Sequence, residues 1–369
     1  MIWQCQLQDK GLYLTSAEQK FYFNYYWLRD NCPSSFDKQT RERVFDIAEL
    51  THPPQVSSAE IVNDTLSVIW QQEQHQSRFP LADLIIWGQQ GCRQDPADIA
   101  RKHWYHDHYL NMARFSANNV SEDLFQRCAW AKAMIEDGVA LITGMPDTDA
   151  ALTDLAELLG LVRPSVAGHV FEVKVHPDPV NLSYTAAALE LHTDTPAEEH
   201  APGIQFLHCR ANSVEGGDSL FLDGAAAASA FRQSHPEDFA LLTQHRIPFF
   251  YDHENFDWRS YQYVIELDQH QAVSGVTVSQ HMADRFDLPQ PILDDYYPAF
   301  VRFLQELRKP EYLCQFRLQA GQCIVFDNHR IVHGRAAYDN SSGHRHLRGC
   351  YIDRGELRSS YRTLVSQGH

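Results

Sequence analysis

The sequence predicts a mainly β protein with flanking helices, in which a larger jelly-roll domain follows a small N-terminal β domain. Short apolar runs such as "GIQFLHC", "DSLFLD" and "CIVFD" are separated by Gly, Pro, Asn and Asp, which indicates many short antiparallel strands rather than alternating βαβ units. The aromatic and β-branched runs "KFYFNYYWLRDNC" and "TLSVIW" predict strands near the N-terminus as well. We therefore predict a β domain over residues 1–92, a connection over 93–120 and the jelly roll over 121–369.

From Ser121 the pattern changes to helix. Ser121 is a candidate N-cap and Gly138 a candidate terminating glycine for one helix. Further helices are expected from about Pro236 to Gln244 and from about Tyr297 to Arg308, where they would cover one face of the jelly roll.

Composition and charge narrow the classes of partner. The net charge of −17 argues against nucleic acid, since binding to phosphates requires clustered Lys and Arg, but it is compatible with a small cationic or zwitterionic substrate. The eight cysteines are scattered, several inside apolar runs, as reduced core cysteines are. We find neither a signal peptide nor a run long and apolar enough to cross a membrane, and we expect a cytoplasmic protein.

The segment "LHTDTP" carries the first candidate site. In an extended chain, side chains two residues apart leave the same face, so His192 and Asp194 can converge while Thr193 turns away. A third ligand is expected in "FDNHRIVHGR", where His333 is preferred and His329 is the alternative. Two histidines and one carboxylate form the facial triad of non-haem Fe(II) oxygenases, which leaves three coordination positions open.

Arg345 is a candidate binding residue for a cosubstrate of the metal site. An H-x-D triplet alone is common by chance, but Arg345 follows in "HRHLRGCY", and its guanidinium could bind one carboxylate of a dicarboxylate through two hydrogen bonds. A metal with open positions and a carboxylate clamp together indicate a 2-oxoglutarate site.

These motifs resemble a known family. The segments "HTDTPAEEHAPGIQFLHC", "FDNHRIVHGRAAY", "RHLRGCY" and "YYWLRDNCP" are similar to the γ-butyrobetaine hydroxylase and trimethyllysine dioxygenase family, which belongs with the taurine dioxygenase-like Fe(II)/2-oxoglutarate oxygenases. The resemblance implies a double-stranded β-helix, Fe(II), 2-oxoglutarate and O₂, and a homodimer. It also implies hydroxylation of a small trimethylammonium compound, with γ-butyrobetaine to carnitine as the first candidate and 2-(trimethylamino)ethylphosphonate or another betaine-like compound as the alternative.

The resemblance also assigns residues to roles. It places iron on His192, Asp194 and His333, and 2-oxoglutarate on Arg345 and Leu207. The substrate-binding positions that it implies are Tyr184, Tyr351 and Phe171 for an aromatic cage around the trimethylammonium group, and Asn181 for the acidic end.

Two departures from the family affect the substrate. Ala167 stands before Gly168 where the family commonly has a tyrosine, which removes one wall of the implied cage. The stretch "VTVSQHM", with Ser279 and Gln280, lacks the Asn-rich or Arg-containing sequence of family members. The substrate could therefore end in a carboxylate or in a phosphonate.

A third departure concerns zinc in the N-terminal domain. The family often holds structural zinc with three cysteines and a histidine, and this chain keeps Cys32 and His75 but has Ser34 and Asp37 at the other two positions. Serine is a poor zinc ligand, so we predict no structural zinc.

Two other classes of protein remain open at this point. A metal-binding jelly-roll sensor would keep the fold without catalytic activity. For such a protein we would expect a disrupted metal triad or no arginine to bind the cosubstrate carboxylate. A zinc metallohydrolase that uses the same ligands would not need Arg345.

Overall fold

The structure is a computed structural model that describes residues 2–71, 75–165, 168–175, 182–253 and 255–369. The chain forms two compact units, Met1–Asp95 and Pro96–His369. Each is described by itself below.

The first unit contains two three-stranded antiparallel sheets, in the orders β1-β2-β3 and β4-β5-β6. Its core includes Leu12, Leu14, Leu28 and Val68, which are fully buried. The predicted strand across "KFYFNYYWLRDNC" ends at Asn24, because the Asn24 side chain accepts the Tyr26 and Trp27 N–H groups and begins a helix. The elements are β1 (Gln4–Leu7), β2 (Gly11–Thr15), β3 (Lys20–Asn24), α1 (Tyr25–Asp30), β4 (Val56–Val62), β5 (Thr65–Trp70), β6 (Gln76–Pro80) and α2 (Leu81–Gln90).

Three of the four residues at the expected zinc-ligand positions, Cys32, Ser34 and His75, lie together in this first unit. The Cys32 Sγ atom is 3.0 Å from Ser34 Oγ and 3.4 Å from His75 Nε2. The Asp37 carboxylate instead accepts the N–H groups of Gln39 and Thr40, at 2.9 and 2.7 Å, within its own turn. Zinc binding is untested, and its absence stays a prediction.

The second unit is built on two antiparallel sheets of a jelly roll. The larger has the order β10-β23-β12-β20-β8-β7, with β9 also pairing with β23 and the β7–β8 pair parallel; the smaller has the order β11-β21-β14-β19. The strands are β7 (Arg114–Ser116), β8 (Val139–Thr143), β9 (Val162–Arg163), β10 (Phe171–Val173), β11 (Leu189–His192), β12 (Ile204–Asn212), β13 (Glu215–Gly216), β14 (Ser219–Asp223), β15 (Arg246–His253), β16 (Phe256–Tyr263), β17 (Ile265–Leu267), β18 (Val273–Val276), β19 (Cys314–Phe316), β20 (Gln322–Asp327), β21 (Ile331–Arg335), β22 (Tyr338–Asp339) and β23 (Arg345–Ile352).

Alternation along the strands separates the core into layers. In β8, Val139 and Leu141 pack between the two sheets, while Ala140 and Ile142 pack on the opposite face of the larger sheet, against helices. The strand is therefore buried on both faces, which explains its continuous apolar run "VALI". The predicted mainly β fold with a jelly roll is confirmed.

Helices cover the outer faces of both sheets, and one predicted cap was wrong. Asp123 rather than Ser121 caps the helix that ends at Gly138: its carboxylate accepts the N–H groups of Phe125 and Gln126. Ser121 lies inside a short preceding helix. The helices of this unit are α3 (His108–Asn111), α4 (Ala117–Glu122), α5 (Leu124–Asp137), α6 (Ala151–Glu157), α7 (Gly224–Ser234), α8 (Pro236–Gln244), α9 (Gln290–Leu307) and α10 (Arg354–Ser366).

Helix α9 begins seven residues before the predicted start at Tyr297 (297 − 290) and continues through Pro298. A proline inside a helix removes one hydrogen bond, so the sequence favoured a start at this point. Burial of one face outweighs that cost, because Tyr296 and Phe303 are fully buried.

A buried ion pair fixes the strand that leads to the predicted third ligand. Arg330, directly before β21, donates from Nε and Nη2 to the two carboxylate oxygens of Asp223 at 3.0 and 2.7 Å. Asp223 also caps α7 through the N–H groups of Ala225 and Ala226. Both members of the pair are almost fully buried, so removing one would leave an uncompensated charge in the core.

Among the described residues, no helix has the length and apolar character needed to cross a membrane.

Candidate active site

Three side chains that are far apart in the sequence meet between β11 and β21. These strands are antiparallel, and His192 lies directly opposite His333, with ring centroids 4.3 Å apart. Asp194 Oδ1 is 3.2 Å from His192 Nε2 and 3.5 Å from His333 Nε2. The three ligand atoms lie within 4.8 Å of one another and form the donor set of a facial triad.

The backbone around Asp194 is held by neighbours that the sequence did not reveal. Thr193 turns away as predicted: its hydroxyl and its N–H both donate to the Val278 carbonyl, at 3.2 and 2.7 Å. The Asn328 side chain binds Asp194 twice: its Oδ1 accepts the Asp194 N–H at 2.7 Å, and its Nδ2 donates to the Asp194 carbonyl at 3.1 Å. Asn328 also donates to the Pro202 carbonyl at 3.0 Å. One side-chain amide therefore links the backbone at Asp194 to the backbone at Pro202.

The electrostatics of the triad suit a cation. Burial opposes ionisation of Asp194, but the imidazoles of His333 and His192 hold the pKa of that carboxyl well below its usual range. Burial, together with the adjacent His192, lowers the pKa of His333. His192 Nδ1 lies 2.8 Å from the Glu190 carbonyl, a contact that leaves Nε2 facing Asp194. A carboxylate oxygen and imidazole nitrogens are donors that metals bind.

His329, the alternative third ligand, lies outside this cluster. Its Nε2 is 3.1 Å from the Ala201 carbonyl. The structure therefore brings His333, and not His329, to His192 and Asp194.

Arg345 lies in β23 on the wall of the same pocket. Its Nε and Nη1 atoms are buried and have no hydrogen-bond partner among the residues that the structure describes. Burial, with the nearby Arg335 cation, lowers the pKa of Arg345 to about 10, so it stays charged at neutral pH. Leu207 and Leu347 also line the pocket. Unpaired cationic donors between apolar walls fit a carboxylate of 2-oxoglutarate.

Several aromatic side chains also line the pocket, whose empty space is ≈ 1040 Å³ when the open solvent at its mouth is included. Phe171 stacks on Tyr351 with ring centroids 5.1 Å apart, and Tyr184 lines the same space. Tyr251 from β15 is a further aromatic that sequence reasoning missed, because nothing local distinguishes it from a strand residue. Asn181 and Ala167 lie outside the described residues.

Tyr351 also contacts the triad itself. Its hydroxyl donates to Asp194 Oδ2 at 2.7 Å. Burial and the adjacent Asp194 raise the pKa of Tyr351 well above its ordinary value, so the hydroxyl keeps its proton.

Arg335 connects β21, the strand that carries His333, to the segment that carries Tyr184. It lies two residues after His333 in β21 and points to the same face. Its guanidinium donates to the carbonyls of Ser183, Thr185 and Ala187 at 3.3, 2.7 and 2.7 Å.

The stretch "VTVSQHM" contributes two pocket side chains that were not predicted, His281 and Met282. Ser279 is buried and Gln280 is exposed, but His281 lines the pocket, with its ring centroid 5.1 Å from that of His192. Gln205, which faces the pocket from β12, has a buried Oε1 with no partner in the described part of the chain.

Comparisons with known proteins agree with this geometry. Residues 112–351 match the family described as "Taurine catabolism dioxygenase TauD, TfdA family". The chain is 35% identical to a γ-butyrobetaine dioxygenase of Pseudomonas sp. (strain AK-1) over 94% of this chain and 90% of that protein. It is 26% identical to a mitochondrial trimethyllysine dioxygenase of Rattus norvegicus over 96% of this chain and 86% of that protein. The crystal structure of AAD-2 in complex with Mn(II) and N-oxalylglycine shares the fold, with a TM-score of 0.51 and 15% identity over 61% of this chain and 89% of that chain.

The chain belongs to the TauD/TfdA dioxygenase family, which confirms the resemblance seen in its motifs. It is an Fe(II)/2-oxoglutarate-dependent dioxygenase, and the sensor and metallohydrolase alternatives are set aside.

Proposed function

We propose that this dioxygenase hydroxylates a small trimethylammonium compound, with γ-butyrobetaine, which gives carnitine, as the first candidate substrate. The observation that carries the proposal is the 35% identity over 94% of the chain to a γ-butyrobetaine dioxygenase. The aromatic pocket beside the triad supports it, because a quaternary ammonium group is attracted to ring faces.

In this proposal, His192, Asp194 and His333 hold the ferrous ion. When bound, the iron would activate O₂ as the oxidant, with 2-oxoglutarate as the cosubstrate that is oxidised to succinate and CO₂, so that one oxygen atom enters succinate and the other converts an unactivated C–H bond into a C–OH group. The chain contributes a fixed trio of donors on one side of the ion and leaves the other side to the cosubstrate and O₂.

Arg345 would orient 2-oxoglutarate. Its unpaired Nε and Nη1 donors provide a bidentate partner for the carboxylate remote from the iron. Leu207 and Leu347 would exclude water around the carbon chain, which strengthens the ion pair. Arg345→Ala should therefore weaken 2-oxoglutarate binding.

Phe171, Tyr184 and Tyr351 would surround the trimethylammonium group. Arg335 supports this wall, since it holds the carbonyls on both sides of Tyr184. We propose that Asn181 meets the anionic end of the substrate, and His281 lines the same pocket as the three aromatic residues.

A substrate panel scored by succinate formation tests the proposal. γ-Butyrobetaine should stimulate 2-oxoglutarate turnover and appear as a hydroxylated product. Its neutral isostere, in which a carbon replaces the ammonium nitrogen, should be much poorer, since only the cation is attracted to the rings.

Varying the other end of the molecule separates the two candidate substrates. A preference for 2-(trimethylamino)ethylphosphonate over γ-butyrobetaine would shift the assignment to the phosphonate. Stimulation by taurine or another sulfonate, with no response to any trimethylammonium compound, would contradict the proposal.

We also propose a homodimer in the cytoplasm, as the family resemblance and the sequence imply. Light scattering coupled to size exclusion would measure the mass, and a value of 42.4 kDa for the single chain would contradict the dimer.

A further inference from the structure

The two oxygens of the Asp194 carboxylate have different surroundings. Oδ1 faces the Nε2 atoms of both histidines, at 3.2 and 3.5 Å. Oδ2 accepts the hydroxyl of Tyr351 at 2.7 Å. This is a charge-assisted hydrogen bond, which is about twice as strong as one between neutral groups.

We propose that Tyr351 is a positioning residue for the metal, whose hydroxyl holds Asp194 Oδ2 away from the ion so that the carboxylate offers a single oxygen. The inference rests on the proposed ligand set of His192, Asp194 and His333. It does not depend on which compound is hydroxylated.

The number of carboxylate oxygens on the ion matters because the remaining positions are few. Three protein ligands leave three positions, which 2-oxoglutarate, as a chelate, and O₂ would fill. A carboxylate that turned both oxygens to the ion would occupy one of these positions. The hydrogen bond from Tyr351 to Oδ2 therefore keeps open a coordination position that the reaction needs.

The fold fixes the Tyr351 hydroxyl in place. Tyr351 lies inside the larger sheet, where β23 pairs with Gln205 of β12 on one side and with Arg163 of β9 on the other. Its ring stacks on Phe171 with an interplanar angle of 27° and is 5% exposed. A hydroxyl on such a rigid element positions its partner more accurately than one on a loop.

Asp194 is thus held at both ends. The Asn328 amide fixes the main chain of Asp194, and the Tyr351 hydroxyl fixes the far oxygen of its side chain. The orientation of Oδ1 towards the histidines follows from these two contacts, before any ion binds. The same Tyr351 ring forms a wall of the proposed cation pocket, so one side chain belongs to both the substrate pocket and the metal centre.

The test is Tyr351→Phe, which removes the hydroxyl and keeps the ring. Manganese(II), a probe that binds without turnover, is titrated calorimetrically into the full-length protein in the absence of substrate. We expect the Kd for Mn(II) to rise by about 10- to 100-fold, the usual effect of losing a partner of a metal ligand. Affinity for a trimethylammonium compound should change much less, since the ring remains.

Tyr361→Phe is the matched control. Tyr361 is a buried tyrosine of α10 that packs on the helix-covered face of the larger sheet. The Tyr361→Phe variant should bind Mn(II) with the same Kd as the unaltered protein. A Kd for Tyr351→Phe within about two-fold of the unaltered protein would overturn the inference, because outer partners of a metal ligand ordinarily contribute more than this.

A second measurement needs no variant and covers the case in which Tyr351→Phe fails to fold. In a crystal structure of the unaltered protein with Mn(II), one carboxylate oxygen of Asp194 should bind the ion. The other oxygen should accept the hydrogen bond from the Tyr351 hydroxyl. Both carboxylate oxygens on the ion would overturn the inference. A failed substrate panel would leave these metal measurements unaffected, so the two proposals fail separately.

Discussion

Two clusters of potential metal ligands can be compared in this chain. In the second unit, His192, Asp194 and His333 bring two imidazoles and a carboxylate together. In the first unit, Cys32, Ser34 and His75 lie even closer, with side-chain atoms 3.0 to 3.5 Å apart.

The difference shows that proximity alone does not define a metal site. The catalytic trio is backed by groups that aim its donors at one point, including the Asn328 amide and the Tyr351 hydroxyl. In the other cluster a hydroxyl stands among the donors, and Asp37 binds its own turn instead of joining them. A thiol, a hydroxyl and an imidazole at these distances can satisfy one another by hydrogen bonding.

The largest expected effect is loss of the third ligand. His333→Ala should abolish detectable 2-oxoglutarate turnover and weaken metal binding by more than the roughly 100-fold that outer partners cost. Metal titration and succinate assays check this outcome. His329→Ala is the control from the same segment, because its imidazole contacts the Ala201 carbonyl, and it should still bind one metal ion. Equal losses in both variants would contradict the assignment.

The next effect concerns the buried cation beside the catalytic trio. Arg345→Ala should raise the KM for 2-oxoglutarate at least about 30-fold, because a buried charge-assisted pair contributes about 2 kcal/mol or more. Arg345→Lys should recover only part of the loss, since an ammonium lacks the two-pronged geometry. Steady-state kinetics at saturating substrate measure both. An unchanged KM in Arg345→Ala would show that the cosubstrate binds elsewhere.

A smaller effect is expected from the amide that supports Asp194. Asn328→Ala removes three hydrogen bonds to the backbone carbonyls and N–H of this region. We expect a roughly 10-fold weaker Mn(II) affinity, at the lower end for outer partners of ligands. Asn328→Asp is the informative companion, because it keeps an acceptor for the Asp194 N–H but loses both donors. Full affinity in Asn328→Ala would mean that Tyr351 alone positions the carboxylate.

The smallest effect concerns zinc binding at the cluster of Cys32, Ser34 and His75 in the first unit. Purified protein should hold well under one equivalent of zinc, whereas Ser34→Cys should hold more, because it replaces the hydroxyl with a thiolate ligand beside Cys32 and His75. Elemental analysis decides this. Cys32→Ala should leave dioxygenase activity unchanged. Stoichiometric zinc that disappears in Cys32→Ala would show that the first cluster is a metal site after all.

The local parts of the site could be predicted from sequence, and the contacts between distant segments could not. Alternation in an extended segment correctly brought His192 and Asp194 to one face with Thr193 turned away, because side-chain direction in an extended chain depends only on neighbouring residues. The supporting role of Asn328 depends on a loop 134 positions away and has no local signature. Tyr251 and His281 reach the pocket for the same reason.

Helix boundaries failed where two local signals competed. Asp123 and Ser121 are both good caps, and the structure uses the aspartate because the chain forms a separate short helix through Ser121. At Pro298 the sequence favoured a helix start, but the buried face of α9 extends the helix through the proline.

The most direct measurement is an anaerobic calorimetric titration of Mn(II) into the unaltered protein, His333→Ala and Cys32→Ala in parallel. We expect one binding site per chain in the unaltered protein and in Cys32→Ala, and loss of that site in His333→Ala. A site that persists in His333→Ala, or one that disappears in Cys32→Ala, would contradict this expectation.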